Sequence, residues 1–330
     1  MNPVGTVPLA VSALPAREPG SRAGGSRRLL TPLVRYPVLK AAGRGTVRRA
    51  AMTTSHWRPL PDFLLIGAKR GGSTSLFRYL LDHPQVLPMF PSARRLPLAE
   101  DMKGVHYFDC QWRRGPSWYR SHFASTRART AAEQQLGLPV VTGESSPYYL
   151  FHPRAAQRAA ATVPAARIVV LLRDPVQRTF SHWKEQRRRT REPLGFAEAV
   201  QAEAGRLAGE RERLARDDRA VSDAYEHQGY VEQSRYVEGL RPWYDHYDRD
   251  QVLVVWSDAF YRDPQSTYDA VCRHLGIAPF AVADPRAWNS AAAESPLPDA
   301  LHDELAQRFA PLDRELGELV RQPLGWAPSS

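Results

Sequence analysis

The sequence predicts an α/β protein with a central, mainly parallel sheet flanked by helices. Three observations carry that prediction. From Asp62 onward, short apolar runs alternate with helical patterns, the order produced when helices join parallel strands. The runs "FLLIG" and "RIVVLL" are continuously apolar, as strands covered on both faces are. Each of these two runs also leads through a turn, "AKRGG" or "RDP", directly into a helical pattern.

Taken in order, "FLLIG" is the first strand and "GSTSLFRYLLDH" the helix behind it. "GVHYFD", Gly104 to Asp109, reads as a second short strand before an aromatic-rich helix around "GPSWYRSHF". "LPVVTG" is a third strand, and "HPRAAQRAAATVP" a helix feeding the strand "RIVVLL", Arg167 to Leu172. A long polar helix, "VQRTFSHWKEQRRRT", follows "RDP". The charged stretch from Arg191 to Asp223 has no clear period and reads either as a cover over a cleft or as a solvated excursion. "GYVEQSRYVEGLRPWYDHY" is helical, "QVLVVWS" is the next strand, and Asp263 and Pro264 suit the cap and first turn of another helix. Leu301, Leu305, Phe309, Leu312, Leu316 and Leu319 recur at spacings of three and four, which marks a docked tail helix.

The chain has 330 residues, 43% of them hydrophobic and 24% charged, ordinary values for a soluble globular protein with a full core. Residues 1–58 form a basic leader rich in Pro, Gly, Ser and Arg, expected to be flexible, and residues 59–330 a single domain. The net charge of +10 sits almost entirely in that leader. Residues 1–60 hold ten Lys or Arg against Glu18 alone, which leaves 35 bases and 34 acids downstream. A body this balanced lacks the broad basic footprint of a nucleic-acid binder. No run is apolar enough to span a membrane. The leader is a poor secretory signal, and a cytoplasmic protein is expected, with the basic segment able to touch a membrane surface. Cys110 and Cys272 make no metal motif, and a single bridge between them stays open.

The chemistry begins at "GAKRGGSTS". Gly67, Gly71 and Gly72 let backbone amides approach an anion, and the following helix aims its N-terminus at it. Ser73, Thr74 and Ser75 add hydroxyls, and Lys69 and Arg70 add charge. Gly67 and Gly72 keep the spacing of a Walker loop, but Ser73 stands where its lysine belongs, and no acidic strand end for magnesium accompanies it. A Rossmann fingerprint fits worse. By itself the stretch is an anion cradle or a tight structural turn. In the second unit, Arg173 ends a buried strand, Asp174 and Pro175 open a helix, and Ser181 lies on that helix's second turn. Arg173 and Ser181 can grip one phosphate, or Arg173 can simply tie strand to helix. Two anion sites of this kind suit a nucleotide with phosphates at separate positions.

The stretches "FLLIGAKRGGSTSLFRYLLDHP", "KGVHYFD" and "VTGESSPYYLFHP…RIVVLLRDPVQRTFSHW" resemble sulfotransferases that use 3'-phosphoadenosine-5'-phosphosulfate (PAPS), most of all the heparan sulfate N- and O-sulfotransferase branch and its bacterial relatives. The likeness runs from about Phe63 to Leu275. It implies a P-loop NTPase-like three-layer fold. It also implies that Lys69, Arg70, Gly71, Gly72, Ser73, Thr74 and Ser75 hold the 5'-phosphosulfate, with Arg173 and Ser181 on the 3'-phosphate. The implied reaction moves a sulfonyl group to a hydroxyl or amine of a carbohydrate or small metabolite and leaves adenosine 3',5'-bisphosphate. The donor carries less charge than a triphosphate, so no metal is expected. A kinase-like phosphotransferase on magnesium and ATP, or a non-catalytic nucleotide- or glycan-binding module, are the competing readings. High Ala, Arg and Pro content points to a bacterial source.

The acceptor base is where this chain departs from the resemblance. Its relatives carry a glutamate in a K-E-x-H-F-F-D-like strand, and here Gly104 holds that position. Period-two alternation on a strand puts His106 on the face of Gly104, with Tyr107 and Asp109 turned away. His106 is therefore the first candidate base and Glu144, in "GESSPYY", the second, with Lys69 and Arg70 as catalytic cations. Trp112, Arg113, Arg114, Trp118 and Tyr119 would border the acceptor, or pack in the core.

Overall fold

The computed structural model describes residues 37–91, 103–283 and 297–326. Five strands form one parallel sheet: β1 (Phe63–Gly67), β2 (Val86–Leu87), β3 (Val141–Ser145), β4 (Arg167–Leu172) and β5 (Val252–Trp256). Their spatial order is β2-β3-β1-β4-β5, and every neighbouring pair is parallel. The expected α/β architecture with helices on both faces is therefore present.

Alternation along the strands divides the core into two layers. Leu64, Ile66, Ile168 and Val170 face one cluster, closed by α5 (Ala155–Thr162), α10 (Tyr236–His246) and α13 (Asp299–Val320). Phe63, Leu65, Val169 and Leu171 face the other, under α2 (Ser73–Asp82), α11 (Ser257–Arg262) and α12 (Pro264–Leu275). Burial of these branched and aromatic side chains stabilises the fold by roughly 1.5–3 kcal/mol each. The tail stripe works as its spacing implies, with Leu305, Phe309 and Leu316 buried.

The other helices of the body are α3 (Gly115–Arg120), α4 (Thr126–Leu136), α6 (Pro175–Arg188), α7 (Phe196–Leu207), α8 (Glu210–Arg216) and α9 (Asp223–His227). The charged stretch without a clear period is thus mostly helical. Phe196 and Leu207 of α7 and Leu214 of α8 are buried. Asp263 caps α12 by accepting from the Ser266 amide.

Three expectations need correction. Residues 104–109 are not a strand: 104–106 are irregular and 107–110 form a turn, and the short edge strand is Val86–Leu87 instead. Within the leader, Pro37–Thr53 forms helix α1, and its last turns are fastened to the body. The Arg48 guanidinium donates to the carbonyls of Ser121 (2.5 Å) and Phe90 (3.0 Å), and Ala51 is buried. The flexible part expected before residue 37 lies outside the described residues. Finally, Cys110 and Cys272 are both free thiols, so they form no bridge. Among the described residues, no helix is long and apolar enough to cross a membrane.

Candidate active site

The first loop owes its path to close backbone packing. The Ala68 amide donates to the Leu171 carbonyl at 2.7 Å, pinning the chain against β4 as it leaves β1. A Cβ at Gly71 would stand 2.4 Å from that same oxygen, so no other residue fits there. Gly72, at φ +99°, then turns the chain into α2. Side chains after Gly72 are thereby delivered to the carboxyl end of the sheet, where ligand sites of parallel sheets form.

A cleft of about 550 Å³ opens there, lined by Lys69, Arg70, Gly72, Ser73 and Thr74 from this loop and by Arg173 and Ser181 from the second unit. The two units predicted to bind separate phosphates therefore share one cavity. They are joined directly: Arg70 Nε donates to Ser181 Oγ at 3.1 Å, and the same guanidinium lies 3.7 Å from Glu185. Arg70 itself has φ +68°, a conformation that turns it toward α6. Asp174 caps α6 by accepting from the Gln177 amide at 2.7 Å, and the Arg173 carbonyl accepts from the Tyr236 hydroxyl. Gly71 and Ser75 do not line the cleft; Ser75 is buried in the first turn of α2.

His106 also lines this cleft, and its side chain is 38% exposed while that of Asp109 is fully covered. Nδ1 of His106 lies 2.8 Å from Asp109 Oδ2. The carboxylate fixes the proton on Nδ1 and leaves Nε2 as the basic nitrogen. Burial disfavours the charged ring, but Asp109, with Glu226 and Glu144 behind it, outweighs burial and raises the pKa above its ordinary value.

The correction at residues 104–109 has a clear cause. The backbone amides of this segment go to side chains instead of a neighbouring strand. Val105 N donates to Glu144 Oε2 (2.7 Å), His106 N to Ser146 Oγ (3.0 Å), and Tyr107 N to the Tyr149 hydroxyl (2.7 Å). The chain bends over this platform, and His106 takes φ +55°. Asp109 consequently shares a side with His106 rather than facing away.

Glu144 is the centre of the platform and lies outside the cleft. It is 0% exposed, and besides Val105 it accepts from the hydroxyls of Ser146 (2.6 Å), Tyr149 (2.7 Å) and Tyr119 (3.0 Å). Burial raises its pKa against the pull of these donors. With four donors on two oxygens it has no lone pair to offer an acceptor. The second candidate base thus holds up the first.

Three groups at the cleft escaped the sequence reading as functional residues. Lys103, first residue of "KGVHYFD", donates from Nζ to Ser73 Oγ (3.0 Å) and Thr74 Oγ1 (2.8 Å). Its signal was its match to the leading lysine of the K-E-x-H-F-F-D-like pattern, three residues before His106. Glu226, on α9, holds the Lys69 amine through its carboxylate at 3.1 Å and its carbonyl at 2.8 Å, and it takes a bond from the Cys110 thiol. Glu185 gathers Arg70, Arg188 and Arg189. Beyond His106 and Glu226 lies a second cavity of about 400 Å³, lined by Trp118, Arg114, Gln111 and His122. Tyr119 stacks on Tyr107 in the core at 4.4 Å. Among the described residues, no group of His, Cys, Asp and Glu is arranged to hold a metal ion.

A family model described as "Sulfotransferase family" matches residues 61–281. The chain is 28% identical over 224 residues, 68% of its length, to bifunctional heparan sulfate N-deacetylase/N-sulfotransferase 1 of Caenorhabditis elegans, of which it spans 23%. It is 26% identical over 220 residues to heparan sulfate glucosamine 3-O-sulfotransferase 3B1 of Mus musculus, spanning 47% of that protein. A solved sulfotransferase from Alicyclobacillus acidocaldarius aligns with a TM-score of 0.56 and 28% identity, over 81% of this chain and 98% of the other. The chain therefore spans half or less of the two curated relatives but nearly all of the bacterial structure. With a matched region that contains both loop units and the His106 turn, this chain belongs to the sulfotransferase family of enzymes.

Proposed function

We propose that the cleft binds PAPS across its two phosphate-type units and passes the sulfonyl group to a hydroxyl or amine of a carbohydrate or small metabolite. One observation carries this reading: a single cavity is lined by Lys69, Arg70, Gly72, Ser73 and Thr74, by Ser181 on its contact with Arg70, and by His106, which Asp109 backs from the covered side. The 5'-phosphosulfate rests on the loop and the N-terminus of α2, and Arg173 with Ser181 takes the 3'-phosphate. His106 Nε2 accepts the acceptor's proton as its oxygen or nitrogen forms the new bond to sulfur. The bond from sulfur to the bridging oxygen breaks, and adenosine 3',5'-bisphosphate leaves with the electron pair. Charge grows on that bridging oxygen, where helix amides and cations are already oriented to meet it. The second cavity, which His106 also borders, is the approach for the acceptor.

The test is turnover of PAPS with a panel of sugar, phenol and amine acceptors, alongside calorimetric binding of adenosine 3',5'-bisphosphate. In His106→Ala, turnover falls by roughly 10²–10⁴-fold while bisphosphate affinity is kept. Single-turnover sulfonyl transfer near the wild-type rate in that variant removes His106 as base. Magnesium-dependent ATP turnover without use of PAPS overturns the whole reading.

A further inference from the structure

An ordinary phosphate loop places a lysine directly after its last glycine, and here Ser73 occupies that position. The cations ahead of the glycines line the cleft, and each is paired with a carboxylate. Lys69 is held by the Glu226 carboxylate and carbonyl and lies 4.5 Å from the Tyr148 ring centre. Arg70 is turned toward Ser181 and Glu185.

Lys103 is placed differently. It arrives from a separate segment, 30 positions beyond Ser73, and its amine rests on the hydroxyls of the first two residues of α2. Those residues open a ten-residue helix whose free amides face the same space. Among the described residues Lys103 has no acidic partner, and the charged groups acting on it are the guanidiniums of Arg70 and Arg78. Desolvation first, and then those two cations, pull its pKa down to about 7. A desolvated amine among cations and hydroxyls is a poor structural element by itself, since a buried charge needs an opposite one. A dianionic phosphosulfate supplies it.

We infer that Lys103 is a further catalytic cation on the transferring end of the donor, supplying from a distant segment the charge that stands in an ordinary loop directly after the last glycine. It acts beside Lys69 and Arg70, which line the same cleft. The assignment rests on the donor reading above. It adds to the sequence expectation, which gave the catalytic charge to Lys69 and Arg70 alone.

The test compares Lys103→Met, Lys103→Arg and Lys69→Met in single turnover with PAPS and in calorimetry with adenosine 3',5'-bisphosphate. The expected result for Lys103→Met is a chemical step slower by about 10²–10³-fold. Its bisphosphate affinity should fall by no more than about tenfold, since the 3'-phosphate contacts remain. Lys103→Arg recovers part of the rate, which a packing role would not predict. Lys103→Met that binds bisphosphate and transfers sulfonyl within about threefold of wild type overturns the inference, and a loss confined to Lys69→Met leaves the role to the loop alone. If the wild-type enzyme binds no bisphosphate, the donor reading fails first and this assignment falls with it.

Discussion

Glu144 offers the sharpest separation of a base from a support. Its carboxylate is wholly buried and accepts four hydrogen bonds, from Val105, Ser146, Tyr119 and Tyr149. Hydroxyls can rotate when it is removed, but the Val105 amide cannot. Glu144→Ala leaves that amide unpaired and opens a cavity, for a combined loss of about 2–5 kcal/mol. Glu144→Gln keeps an oxygen for Val105 and Ser146 and turns its NH2 toward the two tyrosines. The Tyr149 oxygen already accepts from Tyr107 and Phe108, so roughly one charge-assisted bond is lost, worth about 1.5–3 kcal/mol. Urea denaturation at neutral pH reads both values, with an unchanged slope showing that compactness is retained. Turnover in folded Glu144→Gln should fall partially, because the 105–108 turn that presents His106 is loosened. Wild-type stability together with abolished turnover in Glu144→Gln would refute this reasoning and make Glu144 the base.

Three further outcomes are expected. Turnover rises with pH through the raised pKa of His106, because Nε2 must be unprotonated to act; Asp109→Asn removes the carboxylate that raises it. In the pH–rate profile that variant shows its acid limb at lower pH and a lower plateau, and an unmoved limb excludes the pair. Arg173→Ala should weaken adenosine 3',5'-bisphosphate by about 10–100-fold, the loss of one charge-assisted contact, while thermal stability holds because the Tyr236 bond is to the backbone. Calorimetry giving an unchanged Kd rejects the 3'-phosphate assignment. Gly104→Glu should not restore a family-type base, since its Cβ would lie 2.3 Å from the Ser145 oxygen and 2.6 Å from Ser146 Oγ. A stability loss of roughly 1–3 kcal/mol is expected from the forced shift, and a gain of activity would refute it.

Local signals read correctly wherever one segment decides its own structure. The strand Arg167–Leu172, the Asp174 and Asp263 caps and the tail stripe all rest on neighbours within one or two turns. The two strand–turn–helix units were legible for the same reason, and their meeting at Arg70 and Ser181 follows from parallel neighbours β1 and β4. What failed was set by distant partners. "GVHYFD" alternates like a strand, yet its amides are claimed by Glu144, Ser146 and Tyr149 some forty residues on. Lys103 stood at the head of the "KGVHYFD" stretch, but its reach to Ser73 and Thr74 is set by the fold, and Glu226 sat just past a charged stretch without pattern. The docking of α1 through Arg48 likewise depends on two carbonyls outside the leader.

The contacts of Lys69 and Arg70 with Glu226 and Glu185 have a consequence for which anions the cleft admits. Burial works against both carboxylates, yet the neighbouring cations hold each near a pKa of about 2, so each stays charged as an internal counter-ion. The pocket behaves as a loaded ion exchanger. A lone sulfate or phosphate has to displace a tethered carboxylate with a single charged end, and the tether gives that carboxylate a high effective concentration. A nucleotide with anionic groups at both ends can exchange at two places in one binding event. The expected consequence is a preference for a two-ended donor over inorganic anions, which calorimetry of sulfate against adenosine 3',5'-bisphosphate checks.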